Sequence, residues 1–266
     1  MWAMSGGGGD FTGRAVLVTG GTRGIGAGIA SAFLAAGADV LVCGRTPPTD
    51  ETALPAAGGR RAVFSQADVR DAAQADRVVT ETAERFGRLD VVVNNAGGAP
   101  YADAATASPR FHSKIIELNL IAPLHVSQAA NRIMQPQGGG GSIVMIGSVS
   151  GVRPSPGTAA YGAAKAGLAS LATSLAVEWA PAVRVNTVVV GPVETPAGAA
   201  EHFGDAGAMA EIGRGIPMGR MARPADVAGA CLFLASQQAS YITGASLLLH
   251  GGGERPAYLA AAKGPV

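Results

Sequence analysis

The sequence predicts an α/β domain built on a doubly wound parallel sheet. Apolar runs alternate along the chain with amphipathic or alanine-rich segments, an order typical of parallel strands joined by crossover helices. The run of Val91, Val92 and Val93 is apolar at every position, as expected for a strand that helices cover on both faces. The predicted strands are 15–18, 40–42, 62–64, 89–93, 143–146, 185–190 and 247–249, and the predicted helices are 25–36, 72–86, 109–134, 159–179 and 224–235.

A single domain accounts for the length and composition of the chain. The sequence has 266 residues, of which 48% are hydrophobic and 15% charged, so it can bury one sizeable core. Because no linker rich in proline or charge divides it, we expect one domain over residues 11–253, a flexible N-terminal lead at 1–10 and a C-terminal tail at 254–266. The formal net charge of +1 provides no basic footprint for nucleic acid or an anionic membrane.

Compartment and metal content are also constrained by the sequence. The N-terminal lead has neither the basic region nor the apolar core of a secretory signal, and no apolar run approaches the roughly 20 residues of a membrane span. Cys43 and Cys231 lie in apolar segments, where buried thiols are the simplest interpretation. We therefore expect a cytoplasmic protein. The four histidines lack metal-ligand spacing, so no metal site is expected.

A glycine-rich turn joins the first predicted strand to the first predicted helix. It runs from Thr19 to Gly26 as T-G-G-T-R-G-I-G. Glycines let the backbone approach a pyrophosphate, and the helix N-terminus offers free N–H groups and a positive dipole. The strand–turn–helix context favours a dinucleotide site over a plain structural turn, and with it a Rossmann-type fold. The expected contacts are Gly20, Thr22, Arg23, Gly24, Ile25 and Gly26.

The end of the second strand indicates which dinucleotide binds. The chain there reads V-C-G-R, ending at Gly44 and Arg45, without the acidic residue that would bind a ribose 2′-hydroxyl. Arg45 and Arg23 would instead converge on a 2′-phosphate, which guanidinium groups suit well. The alternative is a pair of solvated surface arginines. The missing carboxylate favours NADP(H) over NAD(H).

The stretch 141–165 carries the candidate catalytic residues. An apolar strand ends at Ser148, and Tyr161 and Lys165 follow in an alanine-rich helix, four residues apart on one face. An ammonium beside a phenol stabilises the phenolate, so we expect the pKa of Tyr161 to be lowered. These three groups suit proton transfer to or from a carbonyl or alcohol oxygen.

Several motifs together resemble the short-chain dehydrogenase/reductase family, and in particular its 3-oxoacyl-carrier-protein reductases. The matching motifs are T-G-x-x-x-G-x-G at 19–26, N-N-A-G at 94–97, Ser148, and the pair Tyr161 and Lys165. The resemblance covers about residues 11–253. Two positions depart from the family pattern, since Val190 stands where proline is usual and His250 where aspartate is common.

The resemblance implies a role for each polar residue of the catalytic stretch. Tyr161 is the general acid or base, Lys165 holds the nicotinamide ribose, and Ser148 hydrogen-bonds the substrate oxygen. Asn119 matches a family asparagine that sits at a helix distortion and holds a water next to the lysine. Pro123 cannot donate to the Asn119 carbonyl, so we expect a kink there.

The resemblance also implies further cofactor contacts. Asp68 would face the adenine amino group, and Val69 would pack on the adenine ring. The remaining expected contacts follow two later strands and lie along the cofactor or at the nicotinamide carboxamide; they are Asn95, Ala96, Gly97, Val193 and Thr195.

The implied function is hydride transfer between NADP(H) and a carbonyl or secondary alcohol. The expected pocket walls, 98–106, 149–158 and 197–216, are mostly Ala, Gly and Pro with apolar bulk such as Tyr101. This composition favours an apolar ketone or a 3-oxoacyl thioester, with a steroid or another secondary alcohol as the alternative. Arg153 is one of two arginines that could meet the phosphate of an acyl carrier or coenzyme A. A non-catalytic nucleotide-sensing regulator is the other alternative, which the retained catalytic side chains disfavour.

A stripe of small side chains on the predicted helix 159–179 suggests an oligomer. Small residues allow another helix to approach closely, and members of the resembled family bury this helix in two-fold four-helix contacts. The sequence therefore predicts a homotetramer, with the 254–266 tail against a neighbouring subunit. The alternative is an alanine-rich face that reflects helix propensity alone. The stripe lies opposite the catalytic pair and consists of Ala159, Ala163, Ala166 and Ser170.

Overall fold

A computed structural model describes residues 10–195 and 203–254 of the chain. The strands are β1 (Ala15–Thr19), β2 (Asp39–Gly44), β3 (Ala56–Ala57), β4 (Arg60–Arg61), β5 (Val63–Gln66), β6 (Val91–Asn94), β7 (Gly141–Ser148), β8 (Val183–Val190) and β9 (Ser246–Leu249). The α-helices are α1 (Gly24–Ala35), α2 (Ala72–Phe86), α3 (Pro109–Ile116), α4 (Ala122–Met134), α5 (Ala159–Trp179), α6 (Ala206–Gly215) and α7 (Pro224–Ala235).

Seven of these strands form one parallel sheet in the order β5-β2-β1-β6-β7-β8-β9. The chain starts at β1 in the middle, builds outwards through β2 and β5, and then returns to the other side of β1 with β6. Parallel neighbours need crossover connections, which the helices provide. The strand order reverses between β1 and β6, and ligands of such sheets bind outside the carboxyl ends of the strands at this point. The prediction of a doubly wound, Rossmann-type single domain is confirmed.

The core is divided between the two faces of the sheet. Side chains of α2, α4 and α5 cover one face, and those of α1 and α7 cover the other. Successive side chains of β1 point to opposite faces of the sheet. Leu17 packs on the face covered by α2, α4 and α5, and Val16 and Val18 pack on the face covered by α1 and α7. This two-sided burial explains why the strand sequences are apolar at consecutive positions.

Helix α2 shows how local sequence sets the two ends of a crossover helix. The Asp71 carboxylate accepts hydrogen bonds from the backbone N–H groups of Ala73 and Gln74, which starts the helix. Gly87 ends it with a φ of 76°, a left-handed conformation that glycine adopts readily. The helix therefore begins near the carboxyl end of β5 and returns the chain to the amino end of β6.

Three features differ from the predicted elements. The predicted helix 109–134 is interrupted by a π-helical turn, Glu117–Ile121, between α3 and α4. A two-stranded antiparallel hairpin, β3–β4, was not predicted; Gly58 and Gly59 turn it with φ angles of 59° and 74°. Helix α6 lies within the segment that was expected only as a pocket wall.

None of the helices within 10–195 and 203–254 is long and apolar enough to cross a membrane. Residues 1–9, 196–202 and 255–266 lie outside the described ranges. The predicted boundaries of the N-terminal lead and the C-terminal tail therefore stay predictions.

Candidate active site

The glycine-rich turn between β1 and α1 is held in place by a neighbouring strand end. Gly20 and Gly24 have positive φ angles of 63° and 55°, which favour glycine. The Asn95 side-chain amide donates to the carbonyls of Thr19 and Gly20 at 2.9 and 3.1 Å. A Cβ on Gly26 would lie 2.3 Å from the Gly20 carbonyl oxygen. Only glycine lets this turn close on the first turn of α1, whose free N–H groups suit a pyrophosphate.

The segment after β6 lies beside this turn, as expected. The Thr19 hydroxyl oxygen accepts hydrogen bonds from the backbone N–H groups of Asn95 and Ala96, both at 3.0 Å. Asn94 is buried one residue earlier and donates to the Ser127 hydroxyl at 2.9 Å. Asn94 therefore ties the sheet to α4, while the following residues form one wall of the cofactor cradle.

The groups expected to select the cofactor lie at the end of β2. A Cβ on Gly44 would lie 3.8 Å from the Thr22 hydroxyl oxygen, so the end of β2 adjoins the glycine-rich turn. Arg23 and Arg45 are both exposed, and in the described part of the chain neither guanidinium donates a hydrogen bond. Arg45 interacts electrostatically with Asp68. Two available guanidinium groups beside a strand end without a carboxylate fit a phosphorylated ribose.

Asp68 has a partner that the sequence analysis missed. The Arg70 Nε donates to both carboxylate oxygens of Asp68, at 2.9 and 3.1 Å. Hydrogen bonds from Arg70 lower the pKa of Asp68, so it is a carboxylate that can still accept a bond from another donor. The spacing of two residues in the run Asp68-Val69-Arg70 was the available signal. Val69 is buried in the core cluster of α2, and Ile25 packs against the opposite cluster.

Ser148, Tyr161 and Lys165 are neighbours at the carboxyl end of β7. Ser148 is the last residue of β7, and its hydroxyl oxygen accepts a hydrogen bond from the Ser150 N–H at 3.2 Å. A hydrogen bond links Ser148 to Tyr161. The Lys165 Nζ lies 5.6 Å from the centroid of the Tyr161 ring and donates to the Ile146 carbonyl at 2.8 Å. The structure thus brings together the three catalytic side chains predicted from the sequence.

Burial controls the ionisation of this pair. Lys165 is 5% exposed, and burial lowers the pKa of its ammonium to about 8. Burial also raises the pKa of Tyr161, and the hydrogen bond with Ser148 opposes this effect only in part. The prediction that the pKa of Tyr161 is lowered is therefore wrong for this structure, because the lost hydration of the phenolate outweighs its stabilisation.

Asn119 sits at the helix distortion that was expected. It is fully buried within the π-helical turn Glu117–Ile121. Its Nδ2 donates to the carbonyls of Ile115 and Gly98 at 3.0 and 2.9 Å, and its Oδ1 accepts from the Gly98 N–H at 2.9 Å. Pro123 has no N–H with which to continue the helical pattern, which explains the altered turn. The distortion aims the asparagine at the segment after β6.

Gly97 lies between Asn119 and Lys165. A Cβ on Gly97 would be 2.7 Å from the Asn119 Oδ1 and 3.3 Å from the Lys165 Nζ. The two polar side chains therefore approach one small volume, which the missing side chain of Gly97 keeps open.

The chain after β8 returns to the glycine-rich turn. Val193 forms an isolated bridge with Ala222, and the Thr195 methyl group lies 3.6 Å from the position of a Cβ on Gly24. This places both expected nicotinamide contacts on the cofactor side of the sheet. Val190, the departure from the family's proline, is an ordinary member of β8 and pairs with both neighbouring strands.

A shallow apolar cleft, which encloses only about 10 Å³, adjoins Tyr161. Its lining comes from the side of α3 that carries Phe111 and Ile115, from residues 157–161, and from Ala99, Pro100, Ala102 and Ala104. His112 is the other ionisable lining residue besides Tyr161. Such a lining provides few hydrogen-bonding partners and suits an apolar ligand.

Arg153 already has a carboxylate partner. Its Nη2 lies 2.5 Å from a carboxylate oxygen of Glu254, and its Nη1 donates to the Pro154 carbonyl. The expected contact between Arg153 and a carrier phosphate is therefore unsupported. The salt bridge instead joins the loop between Ser148 and Tyr161 to the end of the described chain.

Comparison with known proteins extends these observations. The family model described as enoyl-(acyl carrier protein) reductase matches residues 20–254. A short-chain type dehydrogenase/reductase of Sinorhizobium fredii is 38% identical over 245 residues, which are 90% of this chain and 43% of that protein. A probable 2,4-dienoyl-CoA reductase of Bacillus subtilis is 35% identical over 244 residues, covering 90% of this chain and 96% of that protein. The solved structure of an aldohexose dehydrogenase from Thermoplasma acidophilum matches with a TM-score of 0.84 at 29% identity, with 98% of each chain covered.

The chain belongs to the short-chain dehydrogenase/reductase family. It is an oxidoreductase that uses a nucleotide cofactor of the NAD(P) type and acts on the carbonyl or CH–OH group of a small molecule. The glycine cradle and the available arginines fit such a cofactor.

Proposed function

We propose that the protein transfers hydride between NADP(H) and the carbonyl carbon of an apolar ketone or 3-oxoacyl thioester. The main support for this proposal is that Ser148, Tyr161 and Lys165 lie close together beside an apolar cleft. The relative named as a dienoyl-CoA reductase supports a thioester substrate. The neighbour named as an aldohexose dehydrogenase makes a sugar the main competitor. A steroid or another secondary alcohol is the alternative within the apolar class.

Tyr161 supplies the proton in the proposed reaction. The bound nicotinamide supplies the hydride. Because burial raises the pKa of Tyr161, its phenol is protonated at neutral pH and acts as the general acid of carbonyl reduction. In the reverse reaction the phenolate would be the general base, and the same burial disfavours that form at neutral pH. The Ser148 hydroxyl donates to the carbonyl oxygen and stabilises the charge that develops there.

Lys165 and Asn119 connect the phenol to a supply of protons. Since the pKa of Lys165 is about 8, its ammonium can lose and regain a proton near neutral pH. Its Nζ and the Asn119 Oδ1 both approach the gap at Gly97. We place the path that reprotonates Tyr161 in this gap. The ammonium also serves as the proposed anchor of the nicotinamide ribose.

The preference for NADP(H) is proposed from Arg23 and Arg45, with Gly44 in place of a carboxylate. Each charge-assisted hydrogen bond to the 2′-phosphate contributes about 1.5–3 kcal/mol, so NADPH should bind at least about tenfold more tightly than NADH. Gly44→Asp should reverse this order, because the new side chain has room beside Thr22 and would repel the phosphate.

Fluorescence titration of both cofactors tests this preference. Arg85→Asp is the matched charge control, since Arg85 is exposed in the last turn of α2, which leads to the amino end of β6 and so lies away from the carboxyl ends of the strands. Equal dissociation constants for NADPH and NADH in the wild type would refute the assignment. An equal change in the dissociation constants of NADPH and NADH on Gly44→Asp would also refute it.

Turnover assays decide the substrate class. A panel of aliphatic ketones, acetoacetyl-CoA, a steroid ketone and an aldohexose, each with both cofactors in the appropriate direction, should show the highest kcat/KM for the apolar ketones or the thioester. The highest value for the aldohexose would overturn the proposed substrate. Cofactor binding without turnover of any panel member would favour the nucleotide-sensing alternative.

We also propose a homotetramer in the cytoplasm. The stripe of small residues on α5 is exposed, and Val177 on the same helix is 82% exposed, which leaves an apolar surface suited to a second copy. Both cysteines are free thiols, which suits a reducing compartment. Light scattering at micromolar concentration should give four times the chain mass, and a monomer mass would end this proposal. Truncation after Glu254 tests the tail, because an unchanged KM and mass would exclude its placement at a neighbouring subunit.

A further inference from the structure

The loop before α5 contains a tight turn that presents a bare backbone surface. The Thr158 N–H donates to the Ser155 carbonyl at 3.1 Å, and Pro156 and Gly157 occupy the two central positions between them. Gly157 has a φ of 76°, the value that a type II turn requires at its third position. The turn is therefore specified by local sequence, and its glycine has no side chain to cover it.

Tyr101 packs on this glycine. A Cβ on Gly157 would lie 1.9 Å from the Cε2 of the Tyr101 ring, so the ring occupies the space that any side chain would fill. The Ala102 N–H donates to the Gly157 carbonyl at 2.8 Å and holds the two segments together. Tyr101 is thus fixed against the turn by a steric fit and by its neighbour's backbone hydrogen bond.

The remaining surface of Tyr101 is open. The residue is 80% exposed although its ring is seated against Gly157. Ala102 and Gly157, which flank this contact, both line the apolar cleft that adjoins Tyr161. A fixed, largely exposed aromatic ring at the rim of a cleft offers apolar area that a ligand can cover at little cost in side-chain entropy.

We propose that Tyr101 is a specificity-determining residue and that its ring is a platform for the apolar arm of the substrate. The carbonyl lies at Tyr161, and the arm extends across the open surface of the shallow cleft and over the exposed part of the ring. The lining offers no acidic or basic side chain other than His112 with which to bind a polyhydroxylated arm. This inference rests on the proposed function and adds to it that affinity grows with the length of the arm.

A series of 2-alkanones from four to ten carbons tests the platform with NADPH as cofactor. In the wild type, log KM should fall with chain length, by up to about fourfold in KM for each methylene that becomes buried. Tyr101→Ala should flatten the series to less than about 1.5-fold per methylene for the longer ketones. Tyr101→Phe is the matched control, because it keeps the ring and should keep the slope.

Gly157→Ala provides a second, independent variant. Its methyl group would collide with the ring and displace it, so this variant should also flatten the series. Thermal unfolding and the dissociation constant of NADPH are measured for all variants, which separates a lost platform from a misfolded protein.

The outcomes distinguish this inference from the proposed function. The platform is overturned if the slope of log KM against chain length persists in Tyr101→Ala, or if the wild type shows no such slope. In either case the enzyme would still be an apolar ketone reductase. A slope lost equally in Tyr101→Phe also overturns it, since the hydroxyl group would then be responsible. A wild type that binds NADPH but reduces none of the ketones overturns the proposed function, and the platform falls with it.

Discussion

Replacing Lys165 by methionine should stabilise the folded protein while ending turnover. Burial lowers the pKa of the Lys165 ammonium from 10.5 to about 8. At pH 7 the lysine is protonated in both the folded and the unfolded state, so this difference costs the folded state about 3 kcal/mol. Methionine has a similar length and no charge to bury, so the variant avoids this cost.

The gain is reduced by one lost hydrogen bond. The Lys165 Nζ donates to the Ile146 carbonyl at 2.8 Å, and methionine would leave that acceptor without this donor. The loss amounts to about 1 kcal/mol. The net expectation is a free energy of unfolding that is larger by about 2 kcal/mol at pH 7, which corresponds to a rise in Tm of about 4–8 °C for a domain of this size.

The gain should also depend on pH in a defined direction. Below about pH 8 the full cost of the buried charge is present in the wild type. Between about pH 8 and 10.5 the folded lysine loses its proton before the unfolded one, so the stability of the wild type rises relative to the variant. The advantage of the variant should therefore shrink between pH 7 and pH 10.

Urea unfolding at pH 7 and pH 10, without added cofactor, measures both effects. Lys114→Met is the matched control, because Lys114 is exposed on α3 and its replacement should change stability by less than about 0.5 kcal/mol. A Lys165→Met variant that is less stable than the wild type at pH 7 would contradict the reasoning, as would an advantage that is the same at both pH values.

Three further outcomes are expected. Tyr161→Phe should lower kcat/KM by at least about 100-fold and leave NADPH affinity within about twofold, since only the proton donor is lost; activity above a tenth of wild type would refute the role. Asp90→Asn should lower the free energy of unfolding by about 2 kcal/mol at pH 7. Burial by itself would raise the pKa of Asp90, but hydrogen bonds from Arg88, the Ala15 N–H and Arg14 outweigh this effect and lower the pKa. That stabilisation is present at neutral pH and is lost as the pH falls through the lowered pKa. Denaturant unfolding should therefore show that the free energy of unfolding falls less between pH 7 and pH 3 in the variant than in the wild type. Equal decreases would contradict this expectation. Gly26→Ala should abolish tight NADPH binding in a fluorescence titration, because its methyl group would lie 2.3 Å from the Gly20 carbonyl oxygen; an unchanged dissociation constant would be inconsistent with the cradle.

The sequence alone determined the fold and predicted the three candidate catalytic side chains that the structure brings together. Both follow from local patterns, because consecutive β-branched residues specify strands buried on two faces and the i,i+4 spacing of Tyr161 and Lys165 places them on one helix face. The kink near Asn119 was also predictable, since the missing N–H of Pro123 is a property of the residue itself. Helix α6 had a local signal that was overlooked, the Asp205 side chain that caps it.

Only the tertiary structure decided properties that depend on packing between distant segments. The direction of the Tyr161 pKa shift is one, because desolvation depends on how much of the chain surrounds the phenol, and here it outweighs the hydrogen bond with Ser148. The contact of Tyr101 with Gly157 is another, since 56 positions separate the two residues and no local pattern relates them. Sequence periodicity reports which face a side chain occupies, whereas burial and steric fit arise when the faces of different elements meet.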